Sequence, residues 1–113
     1  MSRSEEIRDR TKKFAGSVVR FYVGLDKSRE ELRVLGRQLL RCGTSVGANY
    51  REASRARSDG EFIAKVELCS QEADETQYWL ELIRDDCGMR SEADELICIF
   101  VSMSKKTKAK KTS

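Results

Sequence analysis

Residues 58–87, SDGEFIAKVELCSQEADETQYWLELIRDDC, carry an apolar stripe that leaves few options for the fold. Phe62, Val66, Cys69, Ala73, Thr76, Leu80, Ile83 and Cys87 recur at steps of 4, 3, 4, 3, 4, 3 and 4. Side chains three and four residues apart share one face of an α-helix, so this spacing draws a single seam along a long helix. Such a helix is unstable alone in water and needs partners to cover the seam. The segment just upstream supplies one, because Leu32, Leu35, Leu39, Cys42, Val46, Asn49 and Ala53 alternate in the same way. If the chain reverses near Arg57 and Ser58, Ala53 faces Phe62, Val46 faces Cys69, Leu39 faces Thr76 and Leu32 faces Ile83, with no slip in between. Large residues tend to meet small ones, which suits interdigitation at the density of a protein interior.

Two further seams complete a bundle. Ile7, Thr11, Phe14, Val18, Phe21 and Leu25 form one, and Ala93, Leu96, Phe100 and Met103 the other. The expected fold is all-α, an antiparallel up-down-up-down four-helix bundle over residues 1–104, with helices at about 4–24, 28–55, 59–87 and 91–104. Residues 105–113, KKTKAKKTS, read as a basic disordered tail. The absence of proline and a charged fraction of 36% agree with a helical chain. Ser2 with Glu5, Ser28 with Glu31 and Ser58 with Glu61 are spaced as capping boxes, while Gly24 and Gly88 mark helix ends. Gly43 and Gly47 lie inside the second helix, where each costs about 1 kcal/mol relative to alanine, and they mark a bend or a close helix crossing. The run LICIFV has strand propensity but no second strand to pair with, so it is assigned to the fourth helix. No apolar run approaches the length of a membrane span, and residues 1–15 lack an apolar signal core. The expectation is a cytoplasmic protein with no membrane partner.

Some apolar residues exceed what one such bundle needs. Ile97, Ile99 and Val101 make the fourth helix apolar nearly all round, and Tyr78, Trp79 and Leu82 lie off the third-helix seam. A helix apolar on several sides is normally buried on several sides, so these six residues are the expected interface of a homo-oligomer. Asn49 is the one strongly polar side chain on the second-helix seam, the position of a buried residue that fixes register.

Little in the chain supports catalysis. Histidine is absent, which removes histidine-based metal sites and general-base chemistry. No glycine-rich phosphate loop is present, since neither Gly43 nor Gly47 is followed by the required lysine and hydroxyl pair. Cys42, Cys69, Cys87 and Cys98 contain no C-x-x-C and read as small buried hydrophobes, with a zinc site or disulfides as the alternatives. Glu72, Asp74, Glu75 and Glu81 form a carboxylate cluster, read as a solvated or interface acidic face rather than an oxygen-only cation site. No catalytic residue, metal or cofactor is expected.

Charge is unevenly distributed. Residues 1–57 hold 14 basic and 7 acidic side chains, residues 58–104 hold 3 and 12, and residues 105–113 add five lysines. Arg8 and Lys12 on the first helix add to the basic half. Arg33, Arg37 and Arg41 stand one turn apart on the outer face of the second helix, with Arg51 and Arg55 further along. These arginines, together with Lys105, Lys106, Lys108, Lys110 and Lys111, are the candidate phosphate-binding residues. The alternative is a solvated face making weak ion pairs, in a scaffold that binds only proteins. Without a base-reading motif or aromatic platform, binding of RNA or DNA would be salt-sensitive and indifferent to sequence.

Three separated blocks bring a resemblance. Ser45-Val46-Gly47-Ala48-Asn49 with Glu52, then Ser58 with Glu61-Phe62-Ile63, then Glu72 through Leu80 follow in order. They resemble the bacterial four-helix-bundle family named for proteins encoded in 23S ribosomal RNA intervening sequences; Gly47 stands where many members carry proline. The resemblance implies the up-down-up-down bundle. It extends to a related group, the accessory variability determinant of diversity-generating retroelements, which implies a pentameric ring that binds nucleic acid and a reverse transcriptase. It brings no catalytic residues.

Overall fold

In a computed structural model, which describes residues 2–83 and 88–112, the chain forms four α-helices and the described residues include no strand. They are α1 (Arg3–Val23), α2 (Glu30–Ala53), α3 (Asp59–Ile83) and α4 (Met89–Thr112). Consecutive helices pack side by side and α4 closes against α1 by the thinnest of the contacts, giving an antiparallel bundle 54 Å long and 24 by 21 Å across.

The α3 seam behaves as its spacing requires. Val66, Cys69, Ala73, Thr76 and Leu80 are fully buried, and Phe62 and Ile83 pack half-buried at either end. Cys87 lies outside the described residues. Thr76 is tolerated there because its hydroxyl donates to the Glu72 carbonyl at 2.7 Å. The Cys69 thiol donates to the Val46 carbonyl at 3.5 Å, which places these two residues opposite each other as the unslipped hairpin demands.

The α2 seam takes a different path beyond Val46. Tyr50 is buried and Asn49 only half-buried, so Asn49 is not the register-fixing residue of the core. Having α1 on one side and α3 on the other, α2 buries a face wider than a two-helix seam, and the next step from Val46 falls on residue 50. The Tyr50 ring lies 6.1 Å from that of Phe100 on α4, and its hydroxyl donates to Ser4 Oγ on α1 at 3.4 Å. One side chain thereby ties three helices together.

Glycine sets the spacing of α1 and α2. A Cβ built on Gly43 would sit 2.8 Å from both methyls of Val18, and one on Gly36 would sit 2.9 Å from Leu25 Cδ1. Gly47 is less crowded, its added Cβ meeting the Thr11 carbonyl oxygen at 3.4 Å. Of the two readings open for these glycines, the structure shows a close helix crossing.

The three capping boxes fare differently. Ser2 and Glu5 form theirs in full. Ser58 accepts from the Glu61 N–H at 3.1 Å, while the Glu61 carboxylate accepts from the Arg57 N–H, one residue further out. The Ser28 box does not form: α2 begins at Glu30 with Arg29 as its uncapped N-cap. Asp26 captures both the backbone N–H and the hydroxyl of Ser28, a local turn that competes with capping. At the end of α1, the Lys27 ammonium donates to the carbonyls of Tyr22, Val23 and Leu25 at 3.0, 3.1 and 3.2 Å, satisfying acceptors the helix leaves open.

The largest departure from expectation is the C-terminal segment, which is helix rather than disordered tail as far as Thr112. KKTKAKK contains no breaker, lysine and alanine are good helix formers, and cations suit the negative end of a helix. The acids of α3 also hold it. Lys108 pairs with Glu67 at 2.9 Å, Lys110 approaches Asp59 at 3.6 Å, and the nearly buried Ser104 donates to Glu67 at 3.2 Å. The Lys108 hydrogen bond, chiefly, holds the Glu67 carboxyl below its ordinary range. A depressed carboxylate stabilises the fold above its unfolded pKa and loses that contribution as pH falls through the folded value. Amide hydrogen exchange should therefore show protection of residues 105–110 falling selectively on acidification, and Glu67→Gln should reproduce the loss at neutral pH.

Candidate nucleic-acid interface

The bundle sorts the basic residues by whether an acid reaches them. On α2, Arg33 pairs with Glu30 one turn before it. Arg41 reaches across to α3, to Glu75 at 2.8 Å and Glu72 at 3.6 Å. The expected Arg33–Arg37–Arg41 stripe is therefore not a free phosphate track, and only Arg37 of the three has no ion pair among the described residues. Helical periodicity places a stripe on one face but carries no account of which acids the neighbouring helix presents. Of the lysines beyond Ser104, Lys105 and Lys106 are exposed, Lys108 and Lys110 lie against α3, and the side chain of Lys111 falls outside the described residues.

Arg51 and Arg55 keep exposed guanidinium groups with no acidic partner among the described residues. Arg51 also belongs to a set whose other two cations, Arg8 and Lys12, stand in the basic half of the sequence but are not joined there to Arg51 as one site. Arg8 and Lys12, one turn apart on α1, meet Arg51 of α2 across a groove of about 250 Å³ lined also by Thr11, Ala15, Thr44, Gly47 and Ala48. The i, i+4 spacing of Arg8 and Lys12 is visible in the sequence. Their proximity to Arg51 depends on the α1–α2 crossing, which the hairpin pattern of α2 and α3 does not fix. The threonines turn inward: Thr11 donates to the Arg8 carbonyl at 2.9 Å and Thr44 to the Leu40 carbonyl at 2.7 Å.

On the opposite side, Cys42, Glu72 and Glu75 bring three ligand atoms within 4.8 Å of one another. The Arg41 guanidinium lies on both carboxylates and offsets part of their charge. Desolvation, only partly opposed by Arg41, raises the pKa of Glu72, and burial likewise pushes the Cys42 thiol up. A thiol that resists ionisation is a poor metal ligand. Cys69 is pushed up to about 12 by burial, while Cys98 is exposed. In a Cys87→Ser background a thiol reagent should label one cysteine, Cys98, in the native protein, and Cys42 and Cys69 only after unfolding.

The expected interface residues divide into two groups. Trp79, Ile97 and Ile99 are half-buried and pack against the subunit's own core, so the fourth helix hides more of its apolar surface than the sequence suggests. Tyr78 and Leu82 are 54% and 51% exposed, and Val101 is 39% exposed. Leu68, also exposed, joins the α3 pair. Ala64, Leu68, Gln71, Glu75, Tyr78 and Leu82 step by 4, 3, 4, 3 and 4, a second stripe on the side of α3 away from the core. The signal that revealed the core seam is present here too, in a different register.

Among the described residues no helix is long and apolar enough to cross a membrane. The model of the 23S rRNA-intervening sequence protein family matches residues 3–108. No curated protein matches the chain. Among solved structures, a protein of unknown function from the S23 ribosomal protein family of Bacteroides thetaiotaomicron is 34% identical. The superposition has a TM-score of 0.79 and covers 92% of this chain and 99% of that one.

Proposed function

The chain belongs to the family of 23S rRNA-intervening sequence proteins, and from that premise we propose that it is a non-enzymatic, cytoplasmic, self-assembling adaptor that holds nucleic acid by charge. One observation carries the reading. Arg8 and Lys12 of α1, Arg37 and Arg51 of α2 and Arg55 just beyond it lack acidic partners among the described residues, whereas Lys65 of α3 and Arg90 and Lys108 of α4 are engaged by carboxylates. Cations held unpaired on one face are free to exchange their counterions for phosphates.

Assembly follows from the other face. The outer stripe of α3 combines Leu68, Tyr78 and Leu82 with acidic neighbours, and a different face of a second copy, away from the unpaired cations of α1 and α2, covers it. Contact between unlike faces propagates and closes into a ring, which agrees with the pentamer implied by the resemblance noted in the sequence. Titrating labelled RNA and DNA against salt, with light scattering on the same samples, tests both parts. Tight binding at low salt that weakens steeply as salt rises, at a mass of several chains, is the expected result. No binding at low salt would favour a scaffold that recognises only proteins.

A further inference from the structure

We propose that the groove between α1 and α2, walled by Arg8, Lys12 and Arg51, is a seat for a phosphate group of a polynucleotide backbone. The proposal rests on the nucleic-acid reading above and gives it a location.

Three cations from two helices converge on one cavity of about 250 Å³, and no carboxylate lines it. The acid next to Arg51, Glu52, is drawn away to Lys65 on α3 at 2.7 Å. At two other helix crossings an arginine is neutralised: Arg10 of α1 meets Glu92 of α4 and Arg41 of α2 meets Glu75 of α3, at 2.7 and 2.8 Å. Crowding like charges without a counter-charge works against folding, so this groove stands apart from those two ion-paired crossings.

The chemistry of the lining narrows the ligand. Gly47 and Ala15 are small, half-buried lining residues, and Ala48 is an exposed one, so no bulky side chain keeps an anion from the three cations. Both threonine hydroxyls are committed to their own helices, which leaves charge as the means of recognition. No aromatic side chain lines the groove, so no base stacks in it. The ligand class is a phosphodiester, read without regard to sequence.

The test compares the full chain with an Arg8→Gln, Lys12→Gln, Arg51→Gln variant, using a short labelled single-stranded RNA across a salt series. A control variant, Lys13→Gln, Arg20→Gln, Arg29→Gln, removes the same charge at exposed positions outside the groove and outside the candidate binding residues. Each phosphate contact contributes about 0.7 to the log–log salt slope on a single strand, so loss of the one phosphate seated in the groove should flatten the slope by about 0.7 and weaken binding roughly tenfold at low salt. The control should change both much less. Thermal stability of the groove variant should hold or rise, because it relieves repulsion. Ala48→Glu, which puts a carboxylate at the exposed lip, should reproduce the loss.

An unchanged slope in the groove variant overturns the proposal and leaves the nucleic-acid reading standing. No RNA binding by the unaltered chain removes both. If the groove variant loses only inorganic phosphate, followed by phosphorus NMR, the seat belongs to the free anion and the proposal fails. If it falls in mass by light scattering, a neighbouring copy's carboxylates fill the groove, and the proposal fails equally.

Discussion

Gly43→Leu should lower stability by about 3 kcal/mol or more and leave little folded protein. The first added carbon alone would lie 2.8 Å from both methyls of Val18. Valine is branched at Cβ and stiff at χ1, so those methyls cannot swing aside, and relief requires α1 and α2 to separate. Separation would uncover Val18, Leu39 and Val46, all fully buried, each worth about 1.5–3 kcal/mol of burial. Gly43→Ala should cost about 1–2 kcal/mol, since overpacking outweighs the roughly 1 kcal/mol gained from helix propensity. Gly47→Ala, one turn on, meets the Thr11 carbonyl and hydroxyl oxygens at an ordinary contact distance of 3.4 Å and should be neutral or stabilising by up to about 1 kcal/mol. Urea unfolding followed by far-ultraviolet circular dichroism measures all three. Combining Gly43→Ala with Val18→Ala should cost less than the two separate losses added together, because each makes room for the other. If Gly43→Ala were as well tolerated as Gly47→Ala, the close crossing would be wrong.

That crossing also marks where the sequence stops being informative. The α2–α3 hairpin is readable because both helices carry a periodic seam, and a one-residue slip would turn those seams away from each other. The Cys69 to Val46 contact is the result. Where α2 must satisfy two neighbours, a single stripe underdetermines the answer, and Tyr50 takes the buried place that the alternation assigns to Asn49. Composition misleads in the same way at the C-terminus. A lysine-rich segment without apolar residues looks unfolded in isolation, yet Glu67 and Asp59, some forty residues earlier, supply the counter-charges that keep it helical. The candidate binding residues fail for the converse reason: Arg41 looks like part of a cationic stripe until Glu72 and Glu75 are placed beside it. Arg8 and Lys12 become interesting only when Arg51 arrives from another helix. Local propensity and helix-face periodicity are sequence properties, whereas electrostatic neutrality belongs to the packed bundle.

Replacing Tyr78 and Leu82 together by glutamate should dissolve the assembly while leaving the subunit folded. Both side chains are more than half exposed in the lone chain, so within a single subunit the changes fall in the class of surface substitutions that move stability by about 0.5 kcal/mol or less each. In an assembly their cost is different in kind. Two carboxylates would be forced into an apolar contact that already has Glu75 on the same stripe, and each would have to be buried without a partner or kept in water by separation. Light scattering should therefore report a single chain for the double variant and several for the unaltered protein, with superimposable circular dichroism. Trp79, whose ring lies 5.1 Å from that of Tyr78, offers a second readout: its emission should shift to longer wavelength as the covered surface opens to water. Leu80→Glu serves as the contrast, two residues from Leu82 but fully buried in the core. It should unfold the subunit outright, at a cost of several kcal/mol. A lone chain for the unaltered protein at high concentration would remove the assembly from the proposed function, and an undiminished mass in the double variant would move its interface away from the outer stripe of α3. Loss of helicity in the double variant to the extent seen for Leu80→Glu would show that this stripe is part of the core after all.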